Sequence, residues 1–394
     1  MIPYYSPNFG FLTLIRAIFT FKPHDKIIKY FQEHTTKKYI LITGSCRAAL
    51  YLAHSVMNHN GKVLTSPLTC KTAIDPIVSA GNIPIYSDIN IESLTIDPLM
   101  AEKHFTSNIV SFQLIHFGGV PANPQQFREL CDINGIPMIE DCAQGFFARE
   151  NGVLCGSFGD ISCFSLIKNA YGIGGGIFAT NNIEYYKKAK LLQKSYSKLS
   201  NVHLLFRILR NLIESYRNYS IGNFIYLKFI SLRNKSIKKV NIKHENFLNH
   251  LTIPSNIELK IGLIQLKRAE KLNLIRKRKA FVFLDLLNKE NLYENSTFKQ
   301  HIDPAYTKLY LYHSKFNSLK DIPRLNSKGI EAKHLEQKIG VYYQSPLVNT
   351  KQTKDFLPVY SKVHDSLISI PLTENMSVAD MNKTIRVLKK IINE

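Results

Sequence analysis

Short apolar runs alternate with longer amphipathic stretches along the first half of the chain. Tyr39–Thr43 is such a run, and a short turn joins it to a stretch with helical spacing that begins near Arg47. The same order of strand, turn and helix recurs over residues 62–88 and 109–135. Strands that alternate with helices at this pitch are typical of a parallel sheet. The pattern therefore predicts an α/β fold with a mostly parallel sheet.

The last third of the chain has a different order of elements. Helices are predicted at Pro254–Leu272, Lys271–Leu287 and Ser318–Ser327 and from Ser377 onward, with strands near 310–317. Strands interleaved with flanking helices predict a small α+β domain. We therefore divide the chain into a large domain, residues 1–250, and a small C-terminal domain with its linking helix, residues 251–394.

Two acids end the apolar run Ile136–Ile139, and a lysine follows the next apolar run. The acids are Glu140 and Asp141, and the lysine, Lys168, precedes a cluster of glycines. Taken singly, such an acid is most often a turn residue or a helix cap, and such a lysine is most often on the surface. Ligands of α/β sheets, however, bind at the carboxyl ends of strands. A lysine that forms a Schiff base and a carboxylate that pairs with a ring nitrogen are the groups that pyridoxal phosphate requires.

The amino-acid sequence of this stretch resembles that of a known enzyme family. The segments IEDCAQ, GSFGDISCFS and KN followed by GGG are similar, in order and spacing, to the sugar aminotransferases of the DegT/DnrJ/EryC1/StrS family. That family is a branch of the fold-type I pyridoxal phosphate enzymes. The resemblance extends over residues 1–198 and 250–394 and implies a fold-type I transferase fold. It also implies that Lys168 holds the cofactor and that Asp141 pairs with the pyridine nitrogen.

The same likeness implies further contacts with the cofactor. Gln144 would lie near the ring oxygen or the ring face, and Ser165 would bind the phosphate. The family's phosphate-binding Ser-Gly-Thr-like segment corresponds to Ser45, Cys46 and Arg47, which open a predicted helix. A helix N-terminus offers free N–H groups and a positive dipole to a phosphate. Arg47 replaces the family's threonine, and it either pairs with the phosphate or points away.

The chain departs from the family pattern at three further places. Cys70 stands where the family usually has an aromatic residue that stacks on the pyridine ring. Lys168 follows Ser165 by three residues where the family usually has five. Either the shorter loop still brings the lysine to the cofactor's aldehyde, or the site has diverged from the family. Ile253 replaces the arginine of a Gly-x-Asn-x-Arg turn that reaches the neighbouring subunit's cofactor, and Asn249 is a displaced candidate for its asparagine.

The composition adds a strong positive charge. The 394 residues include 51 Lys and Arg against 30 Asp and Glu, a formal net charge of +21. This balance favours nucleotide, phosphate, nucleic-acid or membrane partners, although a lysine-rich surface often serves only solubility. The aromatic residues do not interleave with the basic ones as a stacking platform requires, which argues against nucleic acid.

The cysteine pattern and the hydropathy of the chain indicate its cellular compartment. All six cysteines lie between Cys46 and Cys163 and show no CxxC pair and no metal-binding spacing. No run of about 18 apolar residues indicates a spanning helix, and the N-terminus lacks the basic start of a signal peptide. We expect a cytoplasmic protein with reduced thiols and no metal.

Residues 202–243 form an insertion without a firm counterpart in the family. They contain nine Lys or Arg and a single acid, Glu214. The apolar residues that share one helical face are Leu204, Leu205, Ile208, Leu209, Leu212, Ile213 and Tyr216. A basic amphipathic helix suits an anionic membrane surface, where the protein would be peripheral. The other interpretation is an insertion that packs on its own domain or on a second subunit.

The resemblance implies an aminotransferase that moves an amino group from glutamate to a nucleotide-linked or lipid-linked keto-deoxy sugar. It also implies a homodimer and an amino-sugar product used in a surface polysaccharide. A second hypothesis is a protein that has kept the fold, lost transamination and become a membrane-docked or regulatory subunit. Some relatives are dehydratases in which histidine replaces the lysine, and Lys168 argues against that outcome here.

Overall fold

The computed structural model describes residues 1–5, 7, 9–57, 60–105, 108–217, 219, 222–226, 228, 247–295, 302–334 and 356–394. The longer helices are α1 (Phe11–Ile18), α2 (Pro23–His34), α3 (Cys46–Val56), α4 (Lys71–Ser79), α5 (Pro98–Glu102), α6 (Pro124–Asn134), α7 (Ile183–Gln193), α8 (Asn201–Ser215), α9 (Asn256–Lys289), α10 (Ser318–Ser327), α11 (Pro358–His364) and α12 (Val378–Asn393). The strands are β1 (Tyr39–Thr43), β2 (Lys62–Thr65), β3 (Ile83–Tyr86), β4 (Ile109–Ile115), β5 (Met138–Cys142), β6 (Arg149–Glu150), β7 (Val153–Leu154), β8 (Ile161–Ser165), β9 (Gly176–Thr180), β10 (Ser197–Lys198), β11 (Thr252–Ile253), β12 (Ile302–Asp303), β13 (Leu309–Tyr312) and β14 (Leu367–Ile370).

Seven strands form the central sheet, in the order β1, β9, β8, β5, β4, β2, β3. β9 is antiparallel to both of its neighbours, and the other pairs are parallel. The predicted α/β class with a mostly parallel sheet is therefore confirmed. Ile115 of β4 lies opposite Asp141 of β5, which in turn lies opposite Cys163 of β8. The carboxyl ends of these three strands thus meet at one edge of the sheet.

Side-chain caps define where two of the long helices begin. The Ser45 hydroxyl accepts a hydrogen bond from the N–H of Ala48 at 3.2 Å, so α3 starts at Cys46, one residue before the predicted start. Ser255 and Glu258 form a reciprocal capping box at the start of α9. Each such cap stabilises the protein by about 1 kcal/mol. The start of α3 is consequently encoded locally, next to the end of β1.

A single helix of 34 residues, α9, takes the place of the two predicted segments Pro254–Leu272 and Lys271–Leu287. Its first half, including Leu259, packs in a core shared with α2 and β1. Its second half, including Phe283, packs in a core shared with β13, β14, α10 and α12. Because α9 passes continuously from one core to the other, the division of the chain near residue 250 stays a prediction.

The predicted strand near 310–317 is too long. β13 ends at Tyr312 and pairs in antiparallel fashion with β14. The chain turns there because the N–H of Phe316 donates to the carbonyl oxygen of His313 at 2.9 Å. Helix α10 follows over the predicted residues.

Helix α8 divides its predicted apolar face between the protein and the solvent. Leu204, Ile208 and Leu212 pack with a small core that contains residues of α1 and α9. Leu205 and Leu209 lie on the outer side and are 57% and 44% exposed. The inner side therefore supports the interpretation that the insertion packs on its own domain. Most of residues 218–243 lie outside the described part of the chain, and none of the described helices is both long and apolar enough to cross a membrane.

Candidate active site

Two cavities meet at the edge of the sheet where β5 and β8 end. The larger has a volume of about 710 Å³ and the smaller of about 440 Å³. Both are lined by Cys70, Thr72, Ile167 and Lys168, so the two spaces adjoin along this wall. Their sizes fall in the usual range for small-molecule sites.

Most of the residues that the sequence singled out lie in these cavities. The larger cavity is lined by Ser45, Cys46, Arg47, Cys70, Asp141, Ser165 and Lys168. Gln144 lines the smaller cavity together with Cys70 and Lys168. Asn249 falls in the short turn Phe247–His250, but its side chain lies outside the described residues.

Asp141 is held at the end of β5 with its carboxylate at the larger cavity. Its side chain is only 4% exposed, and the carboxylate accepts a hydrogen bond from the N–H of Ala143 at 2.9 Å. Burial raises the pKa of Asp141, while the positive charge of Lys168 and the Ala143 N–H act in the opposite direction. A cation bound in the cavity next to this carboxylate would stabilise its ionised form.

Glu140 points to the other face of the sheet, because neighbouring strand residues alternate. Its carboxylate accepts hydrogen bonds from the N–H groups of Gly156, Phe158 and Gly159 at 2.6–2.9 Å. Burial raises its pKa, but the hydrogen bond from His116 and the charges around it outweigh that effect and hold the pKa of Glu140 below its usual value. Glu140 is thus a structural carboxylate, and only Asp141 of the two acids reaches the cavities.

The imidazole of His116 belongs to the same buried structure. Its Nδ1 accepts from the N–H of Ala122 at 3.2 Å, and its Nε2 lies 3.2 Å from Glu140. Ligand atoms of His116, Glu140 and Cys142 lie within 4.8 Å of one another. Both ring nitrogens are already engaged by protein groups, so this cluster is better explained as packing than as a metal site.

The N-terminus of α3 opens onto the larger cavity and suits a phosphate. Gly176 makes this possible, because a Cβ there would lie 2.2 Å from the carbonyl carbon of Ser45. The free N–H groups at the start of α3 and the positive end of its dipole attract an anion. Arg47 is partly buried, and its guanidinium makes no hydrogen bond or ion pair with any described residue. Serine hydroxyls of Ser45 and Ser165 line the same cavity.

The short loop that carries Lys168 is fixed by the next residue, Asn169. All four hydrogen-bonding positions of its buried carboxamide are used. The amide nitrogen donates to the carbonyl oxygens of Gln144 and Phe146, both at 2.8 Å, and the oxygen accepts from Arg276 at 3.0 Å and Thr307 at 3.1 Å. A fully satisfied buried amide has one favourable orientation. The loop therefore has a defined conformation despite its reduced length.

Arg276 of α9 is one of the residues of this site that the sequence interpretation missed. It is 2% exposed and donates to the Tyr171 hydroxyl at 2.7 Å and to Glu374 at 2.9 Å, as well as to Asn169. It also donates to the carbonyl oxygen of Tyr306 at 2.9 Å. A signal was present: Arg276 falls at the helical spacing of the apolar residues Leu272 and Ala280, which places it on the buried face.

Gln144 is oriented by the turn after β4. Its carboxamide oxygen accepts from the N–H of Gly118 at 2.8 Å. Cys70 directly precedes α4, but its side chain does not cap that helix. Its thiol lies 2.8 Å from the Thr72 hydroxyl.

Comparisons with known proteins give a consistent result. Residues 20–203 match the model of the DegT/DnrJ/EryC1/StrS aminotransferase family. An uncharacterised protein of Methanocaldococcus jannaschii is 25% identical over 388 residues, which cover 94% of this chain and 90% of that protein. The GDP-perosamine synthase of Vibrio cholerae is 28% identical over 164 residues, which cover 40% of this chain and 45% of the synthase.

Solved structures show the same fold over the full length. The sugar aminotransferase CalS13 from Micromonospora echinospora has a TM-score of 0.73 at 16% identity, with 99% of this chain and 100% of that chain covered. The pyridoxal phosphate form of the putative sugar aminotransferase Spr1654 from Streptococcus pneumoniae has a TM-score of 0.75 at 15% identity, with 100% and 98% covered. The matched residues 20–203 include Lys168, Asp141 and the start of α3.

Proposed function

We propose that the chain is an aminotransferase of the DegT/DnrJ/EryC1/StrS family, whose model matches residues 20–203, and that it transfers an amino group from glutamate to a keto-deoxy sugar. The sugar would be carried by a nucleotide or a lipid, and the amino sugar would enter a surface polysaccharide. The cofactor of such enzymes is pyridoxal phosphate. When bound, it supplies the electron sink that makes amino transfer between two carbon skeletons feasible.

The observation that carries this proposal is the position of Lys168. It is the one lysine that lines both cavities among the described residues. A cofactor in the larger cavity and a substrate in the smaller one would both be within reach of its amine. Lysine is one of the side chains that can transfer protons as a general acid or base to groups within hydrogen-bond reach.

The residues of the larger cavity fit the cofactor. Arg47 and the start of α3 would hold the phosphate, because they offer N–H donors and a positive charge that is paired with no carboxylate among the described residues. The carboxylate of Asp141 would face the ring nitrogen and keep its proton. Cys70 would lie near the ring where the family usually has an aromatic residue, which leaves the stacking contact weak.

The decisive experiment loads the purified protein with pyridoxal phosphate, reduces it with borohydride and maps the modified peptide by mass spectrometry. We expect an absorbance band of the bound cofactor and a pyridoxyl adduct on Lys168, because the fixed loop delivers this amine to the larger cavity. If no band and no adduct form, the second hypothesis, a subunit that has lost transamination, replaces the first.

We also propose a homodimer in the cytoplasm, as the family likeness implies. The larger cavity is lined by His250 and Thr252, which lie in the segment that the family likeness places near the neighbouring subunit's cofactor. Sedimentation velocity would test this, since a dimer has twice the 45.1 kDa of one chain. A single species with the mass of one chain would contradict it.

A membrane contact is proposed for the outer side of α8. Leu205 and Leu209 are exposed there on a protein of net charge +21. Replacing both by glutamate should abolish sedimentation with vesicles that contain an anionic lipid, because it removes apolar contact and adds repulsion. Leu191→Glu is the matched control, since Leu191 is 65% exposed on α7. Equal vesicle binding by the Leu205/Leu209 variant and the wild type would rule out this contact.

A further inference from the structure

The smaller cavity carries an excess of positive charge. Five Lys or Arg side chains line it, and none of its described lining residues is Asp or Glu. Two of the five are neutralised by neighbours, since Arg276 pairs with Glu374 at 2.9 Å and Lys71 with Asp75 at 3.0 Å. Lys168, Lys308 and Lys333 remain.

Lys308 and Lys333 are held against one aromatic ring. Their ammonium groups lie 4.1 Å and 4.6 Å from the centre of the Tyr4 ring. The Tyr4 hydroxyl bonds to the Ser369 hydroxyl at 2.7 Å, and the N–H of Lys333 donates to the carbonyl oxygen of Ser369 at 2.9 Å. Contacts between segments that are far apart in sequence therefore fix the positions of both lysines beside the Tyr4 ring.

Among the described residues, one carboxylate lies near this pair, and it is shared with other donors. The ammonium of Lys308 makes no hydrogen bond or ion pair with any described residue. The nearest acid, Glu331, lies 3.9 Å from Lys333, but it already accepts from Arg217 at 2.6 Å and from the N–H of Tyr4 at 2.8 Å. Two neighbouring cations that are partly removed from water repel each other and lose hydration. An anion bound between them would remove both costs.

We propose that Lys308 and Lys333 form an anion-binding subsite that holds a carboxylate or phosphate group of the substrate in the smaller cavity, opposite Lys168. The carboxylate would come from the amino donor, and the phosphate from the carrier of the sugar. The identity of the ligand rests on the proposed function, whereas the binding of an anion rests only on this geometry. Charge-assisted hydrogen bonds from the two ammonium groups supply the attraction.

The site is expected to depend on pH. Burial and the charges of Lys168 and Lys333 lower the pKa of Lys308 to about 7, while Cys70 and Glu331 act in the opposite direction. The other titratable groups that face it are Tyr4 and Tyr310, whose pKa values burial raises, so they stay neutral. An anion binds the protonated form of Lys308. Its affinity should therefore be highest below pH 7 and fall as the pH rises through this value.

The test is calorimetric titration of the protein, with and without prior incubation with pyridoxal phosphate, using two probes, glutarate and inorganic pyrophosphate. Glutarate has the carboxylates of glutamate but no amine to transfer, and pyrophosphate represents the carrier. We expect Lys308→Met to weaken binding of at least one probe tenfold or more, roughly the effect of losing one charged hydrogen bond. Loss of glutarate binding alone identifies the donor carboxylate, and loss of pyrophosphate binding alone identifies the carrier phosphate.

Two further variants provide a second test of the subsite and a matched control. Lys333→Met removes an exposed side chain and should weaken the same probe without affecting folding. Lys328→Met removes the same charge from an exposed position of α10's C-terminal end and should leave both affinities unchanged. The proposal is overturned if the wild type binds neither probe, or if both probes bind Lys308→Met and Lys333→Met as they bind the wild type. Because the adduct on Lys168 is measured separately, anion binding without an adduct would reject the aminotransferase and retain the subsite.

Discussion

Replacing Lys168 by alanine is expected to lower the rate of amino transfer at least about a thousandfold, at the upper end of what a single proton-transferring side chain contributes. The reason is that Lys168 lines both cavities, so no other described amine can serve the cofactor side and the substrate side together. The rate is best measured in a single turnover with glutamate, by the change in cofactor absorbance, because this isolates the donor half of the reaction.

Two controls separate chemistry from folding for this variant. Small primary amines added to Lys168→Ala should restore part of the rate, since the cavity left behind can admit an external base. Lys328→Ala removes one exposed lysine and should keep the wild-type rate. A Lys168→Ala protein that retains more than about a tenth of the wild-type rate would show that another group moves the proton.

Arg276→Met is expected to lower the free energy of unfolding by about 3–5 kcal/mol, the usual cost of removing one partner of a buried ion pair. Glu374 would keep a buried charge without its cation, and Asn169 would lose one of its hydrogen bonds. Denaturant unfolding monitored by circular dichroism measures this loss. The same variant should release the Lys168 loop, so the yield of pyridoxyl adduct should fall as well.

The matched control for this change is Arg278→Met, which removes an exposed arginine from the same helix and should cost less than about 0.5 kcal/mol. The double variant Arg276→Met/Glu374→Met should recover part of the lost stability, because it removes both buried charges together. If Arg276→Met and Arg278→Met had equal stabilities, the buried network would not hold α9 to the Lys168 loop.

Local patterns were sufficient for the sheet and for the first candidate residues. β1 and the start of α3 follow from a short apolar run and a serine cap, both readable in a few neighbouring residues. Asp141 and Lys168 drew attention because one lies at the end of a buried strand and the other just after a second, and the family resemblance then supplied their roles. Such strands run parallel and end at one edge, so residues that follow them are brought together by the class of fold.

The length of the helices and the faces they bury were less predictable. The sequence indicates helix throughout α9, but only the structure shows one continuous helix that joins two cores. In α8, periodicity identifies the residues that share a face and not the neighbour that covers them. The core around Ala17 and Ile261 covers Leu204 and Ile208 and leaves Leu205 exposed.

The amino-acid sequence by itself thus determined the α/β sheet and the location of Asp141 and Lys168 near the ends of its strands, because both depend on short-range order and on the shared direction of parallel strands. Only the tertiary structure decided how the shortened Lys168 loop is held by Arg276 and how Lys308 comes to lie beside Tyr4. Arg276 reaches Asn169 across 107 positions of the chain, and Tyr4 meets Lys308 across an even longer separation. Contacts between residues so far apart in sequence depend on how the elements pack, which no local pattern encodes.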